Sequence, residues 1–488
     1  MVMRSPLLAA LAAALLVASL GAQTPPDESR SYRVDDLAIP PGIVLEVGGL
    51  LTRPDGSLMV CTRRGEVWRI VEPFGERPGF SRFAQGLSEP LGLLEREDGI
   101  YVTQRGELSR LRDRDGDGRC DAVDVICDDW SISGNYHEYL FGPCEDREGN
   151  LWVTANKPFG DEPFGRAPFR GWAYRITPEG VWQPVACGLR SPCGVATSPD
   201  GEIFYTDNQG EWCGASKLSH IAVGDFHGHP DGIDSCERPE SLCPPPGFVA
   251  ERDGGLLMPE VARRFPSFKL PAVWFPYDKM GQSPSGLAWD RTEGRFGPFA
   301  GQIFVGDQHH ASVMRVALER VRGHWQGACF PFREGLSCGV IRVAFAADGS
   351  LVCGLSNRGW GSKGRTPWGV QRIVFTGETP FEIREMRVRS AGFRLEFTDE
   401  VDPESVRPEA FRMKSYTYRL HEPYGSPEVD GKTLKVDAAR AVGPAAIEID
   451  VKGLRRGYVH ELAVSGLRDR KGRPLLHDKA YYTLIELP

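Results

Sequence analysis

Apolar and polar residues alternate along this chain over runs of about five, and the runs come in groups separated by tight turns. GGLLTRPDGSLMVCTRRGEVWRI (48–70) reads as strand, Asp-Gly turn, strand, Arg-Gly-Glu turn and strand; LGLLEREDGIYVTQRGELSRL (91–111) repeats that order. Weaker copies begin at LFGPCEDREGNLWVTAN (140–156), CGVATSPDGEIFYTDNQGE (193–211), SGLAWDRTEG (285–294) and VIRVAFAADGSLVCGLSNRG (340–359). An acidic residue followed by Gly between alternating runs is a hairpin signal, because the turn needs backbone conformations that Gly and Asp tolerate. Six such units, spaced by roughly 45 to 55 residues apart from a longer step between the fourth and fifth, match the period of propeller blades. The pattern predicts an all-β protein with a six-bladed β-propeller over 38–377.

Three segments break the pattern. Residues 222–280, with GHPDGIDS, CPPPGF and WFPYDKMG, are Pro-rich and aperiodic and read as an elaborated loop over one face. Alternating runs resume over 381–488 without the blade motif and predict a small immunoglobulin-like β-sandwich. At the start, Arg4 precedes an apolar run over 7–20 and the small residues Gly21 and Ala22, which predicts a signal peptide at 1–22. The mature chain is then expected in the periplasm or medium, with no transmembrane segment.

Composition narrows the function. Fifty-eight basic and 66 acidic residues give a net charge of -8 with no basic block, which argues against a nucleic-acid partner and for a small molecule or another protein. Twelve cysteines without a CxxC, in an oxidising compartment, predict disulfides, with Cys120–Cys127, Cys187–Cys193 and Cys236–Cys243 as short-range candidates. The strongest chemical motif is DRDGDGRCD at 113–121. Asp113, Asp115 and Asp117 at alternate positions, Gly118 for the turn, the Arg119 carbonyl and then Asp121 or Asp124 suit a calcium ion, with a part in shaping the central face.

Across its later units the chain resembles the pyrroloquinoline quinone dependent glucose/sorbosone dehydrogenase family, whose members are six-bladed secreted propellers. NYHEYLFGPCEDREGNLWVT matches the family phrase HxGGxLxFGPDGxLYV and places His137 at the catalytic base. GLRSPCGVATSPDG matches GxRNPQGLxxxPDG and places Arg190 on the cofactor, with Ser191 where the family has Asn. DNQGEW supplies Gln209 for the quinone and Gly210 and Glu211 for calcium. GQIFVGDQHHAS puts His309 where the family has Lys, and VIRVAFAADG puts Arg342 among the cofactor-facing residues. The Gln that ends the family's first blade has no counterpart in GLSEPLGLLERED. A group of exported bacterial propellers labelled membrane-bound dehydrogenases is closer still, sharing the aspartate-rich loop and YHEYLFG-like phrases.

The resemblance implies an exported quinone-dependent oxidoreductase of sugars or polyols that passes electrons to an unknown acceptor, with calcium and pyrroloquinoline quinone as cofactors. Two alternatives remain open on the residues. One is a non-catalytic propeller that binds carbohydrate or protein. The other is a calcium-dependent lactonase-type hydrolase using Glu138, Asp207 and Asn208. His227 and His229, with His309 and His310, are weaker candidates for a metal site.

Overall fold

The computed structural model describes residues 27–160, 167–357 and 361–488; the expected leader at 1–22 lies outside them. Six antiparallel blades of four strands follow one another along the chain, the first five as meanders, with blade five forming half of an eight-stranded sheet. They are Val47–Thr52 to Gly79–Ala84 (blade one), Leu93–Arg96 to Ala122–Cys127 (two), Leu140–Glu145 to Trp182–Cys187 (three), Pro192–Thr197 to Val273–Phe275 (four) and Pro284–Trp289 to His324–Arg333 (five). Blade six consists of Val340–Phe345, Leu351–Ser356 and Trp368–Phe375. Its fourth strand is Tyr32–Asp36, from before the first repeat, paired antiparallel with Trp368–Phe375. This strand precedes the boundary at residue 38 that the repeats suggest, and it closes the ring with chain from both ends.

The first strand of each blade touches the first strand of the next, so that Val47–Thr52 lies between Leu93–Arg96 and Val340–Phe345 around a central channel. Closeness there depends on glycine: a Cβ on Gly92 would stand 1.8 Å from the Gly142 carbonyl oxygen. The second strands Leu58–Thr62, Leu151–Ala155, Ile203–Asp207 and Ile303–Asp307 are buried along their whole length, having strands on both sides and sheets on both faces. At the rim, Ala122–Cys127 alternates between half-buried and exposed. The period-two signal is therefore clearest in outer strands.

The 222–280 insertion is more than a loop. It carries the helix Met258–Arg264 and ends in Val273–Phe275, the outer strand of blade four. The C-terminal residues form two sheets that share a core of Phe393, Leu395, Ile447, Ile449, Leu462 and Tyr482. One of these sheets continues blade five, because Lys479–Leu484 pairs with His324–Arg333. His477, held between Glu28 and Glu382, ties it to the N-terminal segment as well. No helix among the described residues is long and apolar enough to cross a membrane.

All twelve cysteines are unpaired, which corrects the disulfide expectation. Cys187 ends the outer strand of blade three, whereas Cys193 lies on the inner strand of blade four with its Sγ toward Arg342. Cys120 and Cys127 turn to the Ala122 carbonyl and the Asp129 carboxylate. Cys236 and Cys243 do come together, in a group with Cys187.

Candidate functional site

Propeller geometry gathers the segments that link blades, and those that link second to third strands, at one mouth of the channel. A cavity of about 380 Å³ opens there. His137 comes from the link into blade three, Asn156 and Phe159 from within that blade, and Arg190 and Ser191 from the link into blade four. Asn208 and Glu211 follow the second strand of blade four, Arg63 follows the second strand of blade one, and Tyr139 stands two residues beyond His137.

His137 is 8% exposed and held on three sides. Its backbone N–H donates to Asn135 Oδ1, its ring stacks on Phe159 with centroids 3.5 Å apart, and its Nδ1 lies 2.8 Å from the Lys157 carbonyl oxygen. A carbonyl only accepts, so Nδ1 carries the proton and Nε2 keeps a lone pair. That lone pair faces Ser191 Oγ at 3.1 Å and Asn156 Nδ2 at 3.4 Å. Burial, with the charges of Arg190 and Lys157 added, pushes the imidazole pKa down to about 3. The ring is a neutral hydrogen-bond acceptor throughout the physiological range.

Arg190 is fixed by charge and by aromatic rings. Its Nε and Nη2 donate to Glu211 Oε2 at 3.2 and 2.9 Å, and its guanidinium lies between the Phe159 ring at 4.8 Å and the Tyr424 ring at 5.3 Å. Lys157 Nζ stands 2.5 Å from the other Glu211 oxygen. Although burial favours the neutral acid, these two cations hold the Glu211 pKa down to about 2. Asp207 is equally committed, accepting the backbone N–H groups of Arg190 and Ser191 and so setting the link that presents both side chains. In contrast, the buried oxygens Asn156 Oδ1 and Asn208 Oδ1 have no donor among the described residues. They are acceptors that call for a hydroxyl-bearing or cationic ligand.

The structure brings together His137, Arg190 and Glu211 from the expected set. Gln209 turns away from the cavity and donates to the Gly214 carbonyl. The Gly210 carbonyl already accepts from Gly425 N–H, and Glu211 is matched to two cations, which leaves neither poised for calcium. His309 bonds to the Gly361 carbonyl instead of lining the cavity. Arg342 lies deeper in the channel, capping the Leu91 and Ile341 carbonyls. The lactonase-type set is not assembled either: the Glu138 carboxylate is consumed by Ser133 and the Gly134 N–H. His227 packs on the Tyr205 ring and His310 meets Lys363, so the paired histidines do not converge.

The aspartate loop forms as a compact turn. Asp113, Asp115 and Asp117 offer carboxylate oxygens within 4.8 Å of one another. Asp113 accepts from the Gly116 and Gly118 N–H groups, Asp117 from Arg119 N–H, and Asp121 from Arg114 N–H. Asp124 is taken by Arg110 and Arg112, whose bonds to it, Arg112 first, lower its pKa. The loop joins the third and fourth strands of blade two, beside the turn of Arg96 and Asp98. The other end of its leading strand reaches Gln104 and Arg105, and Arg105 donates to the Asn135 carbonyl at the mouth. The aspartates therefore stand at the end of the sheet away from the cavity and do not shape the central face.

Sequence reasoning missed Lys157, Asn156, Phe159, Arg63 and Tyr139, and above all Tyr424. The last comes from the C-terminal sheets, on a loop pinned to blade four by Trp212 N–H to the His421 carbonyl and by Gly425 N–H to the Gly210 carbonyl. An aromatic residue in the Pro-Gly-rich stretch HEPYGSP was the available signal.

Comparison with known proteins places this architecture. A family model described as a domain of unknown function (DUF7133) matches residues 75–229. No curated protein sequence matches the chain. Among solved structures, one from Thermus thermophilus assigned as a glucose dehydrogenase is 22% identical, with a TM-score of 0.50, and covers 70% of this chain and 100% of its own. A Trichoderma reesei protein of carbohydrate-active enzyme family AA12 is 12% identical with a TM-score of 0.50, covering 72% and 98%. The pyrroloquinoline quinone-bound aldose sugar dehydrogenase of Streptomyces coelicolor is 17% identical with a TM-score of 0.47, covering 72% and 99%. At these identities the likeness is one of fold: this chain is a β-propeller of the kind found among sugar dehydrogenases.

Proposed function

We propose that this protein is an exported oxidoreductase that oxidises a sugar or polyol with pyrroloquinoline quinone held in the cavity, His137 taking the hydroxyl proton. The observation that carries the reading is the His137 imidazole. Its Nδ1–H is fixed on the Lys157 carbonyl, its Nε2 lone pair points into the cavity, and burial keeps it neutral. A positioned base contributes about a hundred- to ten-thousand-fold to proton removal when its pKa lies near the working pH, and the lowered pKa of His137 sets it at the low end of that range. The donor set fits an anionic, planar group: Arg190 and Arg63 line the wall beside the Phe159 and Tyr139 rings. Bound there, the quinone would supply the two-electron oxidant. Asn156 and Asn208 offer their undonated oxygens to substrate hydroxyls, while Ser191 and Asn156 hold the Nε2 lone pair in line until a hydroxyl replaces them. Export follows from the leader-like 1–22, and the 113–117 turn would hold calcium as a structural clip. The test is reconstitution with quinone, calcium and a dye acceptor across a panel of sugars. Turnover that falls about a hundredfold or more in His137→Ala, with quinone affinity retained, supports the reading; no quinone binding at micromolar concentration refutes it.

A second reading has one observation in its favour. Ser191 Oγ donating to His137 Nε2 at 3.1 Å is a nucleophile–base pair, which suits ester or lactone hydrolysis. Ser191→Ala separates the two, since it abolishes acyl transfer and spares dye reduction.

A further inference from the structure

Away from the cavity, Cys187, Cys236 and Cys243 meet in the core between blade three and the 222–280 insertion. Cys187 Sγ lies 3.6 Å from Cys243 Sγ and 3.8 Å from Cys236 Sγ, and all three sulfurs fall within 4.8 Å of one another. They are 0%, 7% and 1% exposed for Cys187, Cys236 and Cys243, among Phe226, Phe248, Phe169 and Trp172. The backbone fixes each one. The Cys187 N–H donates to the Asp225 carbonyl and its carbonyl accepts from His227 N–H, Cys236 sits in the short helix Ile233–Glu237, and Leu242 N–H is anchored on the Pro184 carbonyl next to Cys243.

We propose that these three cysteines form a trithiolate site for a thiophilic divalent cation, zinc in the first place, which clips the insertion to blade three. The spacing is that of a coordination polyhedron: ligands about 2.3 Å from a tetrahedral zinc stand about 3.8 Å apart. A disulfide needs a separation of about 2 Å and would leave the third sulfur without a role. A triangle with two near-equal edges favours one centre shared by three. The electrostatics point the same way. Three thiolates in an apolar core are untenable alone, whereas a divalent cation reduces their charge to -1. Binding releases one proton per sulfur. A metal-held thiolate also resists oxidation, which matters for a chain expected outside the reducing cytosol. The clip would steady the stretch after Asp225, including Gly232, whose carbonyl accepts from Trp172 Nε1 next to the blade-three wall of the cavity.

The full chain, purified without chelator, is expected to hold about one equivalent of zinc and to show twelve titratable thiols once denatured and stripped. Stripped and reduced with calcium in excess to occupy the aspartate turn, it should take up one equivalent of cadmium, with a thiolate-to-metal charge-transfer band. Cys236→Ser should lose that band and lower zinc affinity at least tenfold, and Cys193→Ser should keep both. Since Cys236 lies in a short surface-proximal helix, this variant tests the site with less risk to folding than Cys187→Ser. A linkage between any two of the three cysteines in the unreduced protein would overturn the proposal. So would the absence of a band in the reduced wild type.

Discussion

Gly210 offers a direct test of the Arg190 clamp, because the perturbation is steric and leaves every charge in place. A Cβ at this position would stand 1.8 Å from Arg190 Nε, 2.0 Å from Cζ and 2.3 Å from Nη2. Gly210 does not adopt positive φ, so alanine is compatible with the backbone and the conflict falls on the guanidinium. To relieve it, Arg190 must leave Glu211 and the gap between Phe159 and Tyr424. Each charge-assisted hydrogen bond is worth about 1.5–3 kcal/mol, but Glu211 keeps Lys157, so a loss of about 2–4 kcal/mol is expected in place of the full sum. Expressed in binding, that is about 30- to 1000-fold for any anion that Arg190 holds in this pose. Calorimetric or fluorescence titration of pyrroloquinoline quinone into Gly210→Ala gives the affinity, and a thermal melt gives the stability. Gly106→Ala is the control, being at a turn where a Cβ meets nothing within 4 Å. If Gly210→Ala binds and melts like the wild type, Arg190 is not fixed as described and the cofactor argument built on it fails.

Other consequences can be measured independently. In kcat/KM against pH, His137 should give no acid limb near 6.5, because its pKa is pushed down to about 3; a limb at 6–7 that disappears in His137→Ala would contradict the burial argument. Stability should respond to pH from both sides. His137 and His460, both lowered to about 3 by burial, contribute stability that is present above about 6.5 and lost as pH falls from there towards 3. For His477 burial alone would lower the pKa, but Glu382 and Glu28 raise it to about 10, so its contribution is full below about 6.5 and lost as pH rises through 10. His477→Ala should flatten the alkaline arm of a denaturation series. Calcium should raise the melting temperature through the aspartate turn, and Asp115→Ala should remove most of that dependence while leaving the cavity intact. Tyr424→Ala should weaken ligand binding about two- to tenfold with little change in stability, since its ring is exposed at the rim and contributes mainly to the Arg190 sandwich.

The strands, the meander order and the repetition of the blades were determined by the sequence, because hairpin turns are local. Asp-Gly and Glu-Gly between alternating runs specify a turn from two residues, and the turn sets the register of its neighbours. The closing strand Tyr32–Asp36 escaped that reading, as it has no hairpin partner and pairs with Trp368–Phe375 from the far end of the chain. The site divides along the same line. His137 and Arg190 were legible, since each stands at the entry of a repeated unit, and entries converge on one mouth. Gln209, His309 and Arg342 stand at equally repeated positions, yet their side chains turn to the Gly214, Gly361 and Leu91 carbonyls, hydrogen bonds that the repeat pattern does not specify. Sequence proximity likewise misled the cysteine pairing. Between Cys187 and Cys193 the chain passes from the rim of one sheet to the axis of the next, so six residues of separation place them in different environments. Cys187 instead meets two cysteines that the insertion folds back onto it. Only the tertiary structure could decide that, and the arrival of Tyr424 over Arg190, because both contacts are set by how segments distant in sequence pack and not by the pattern within any one sheet.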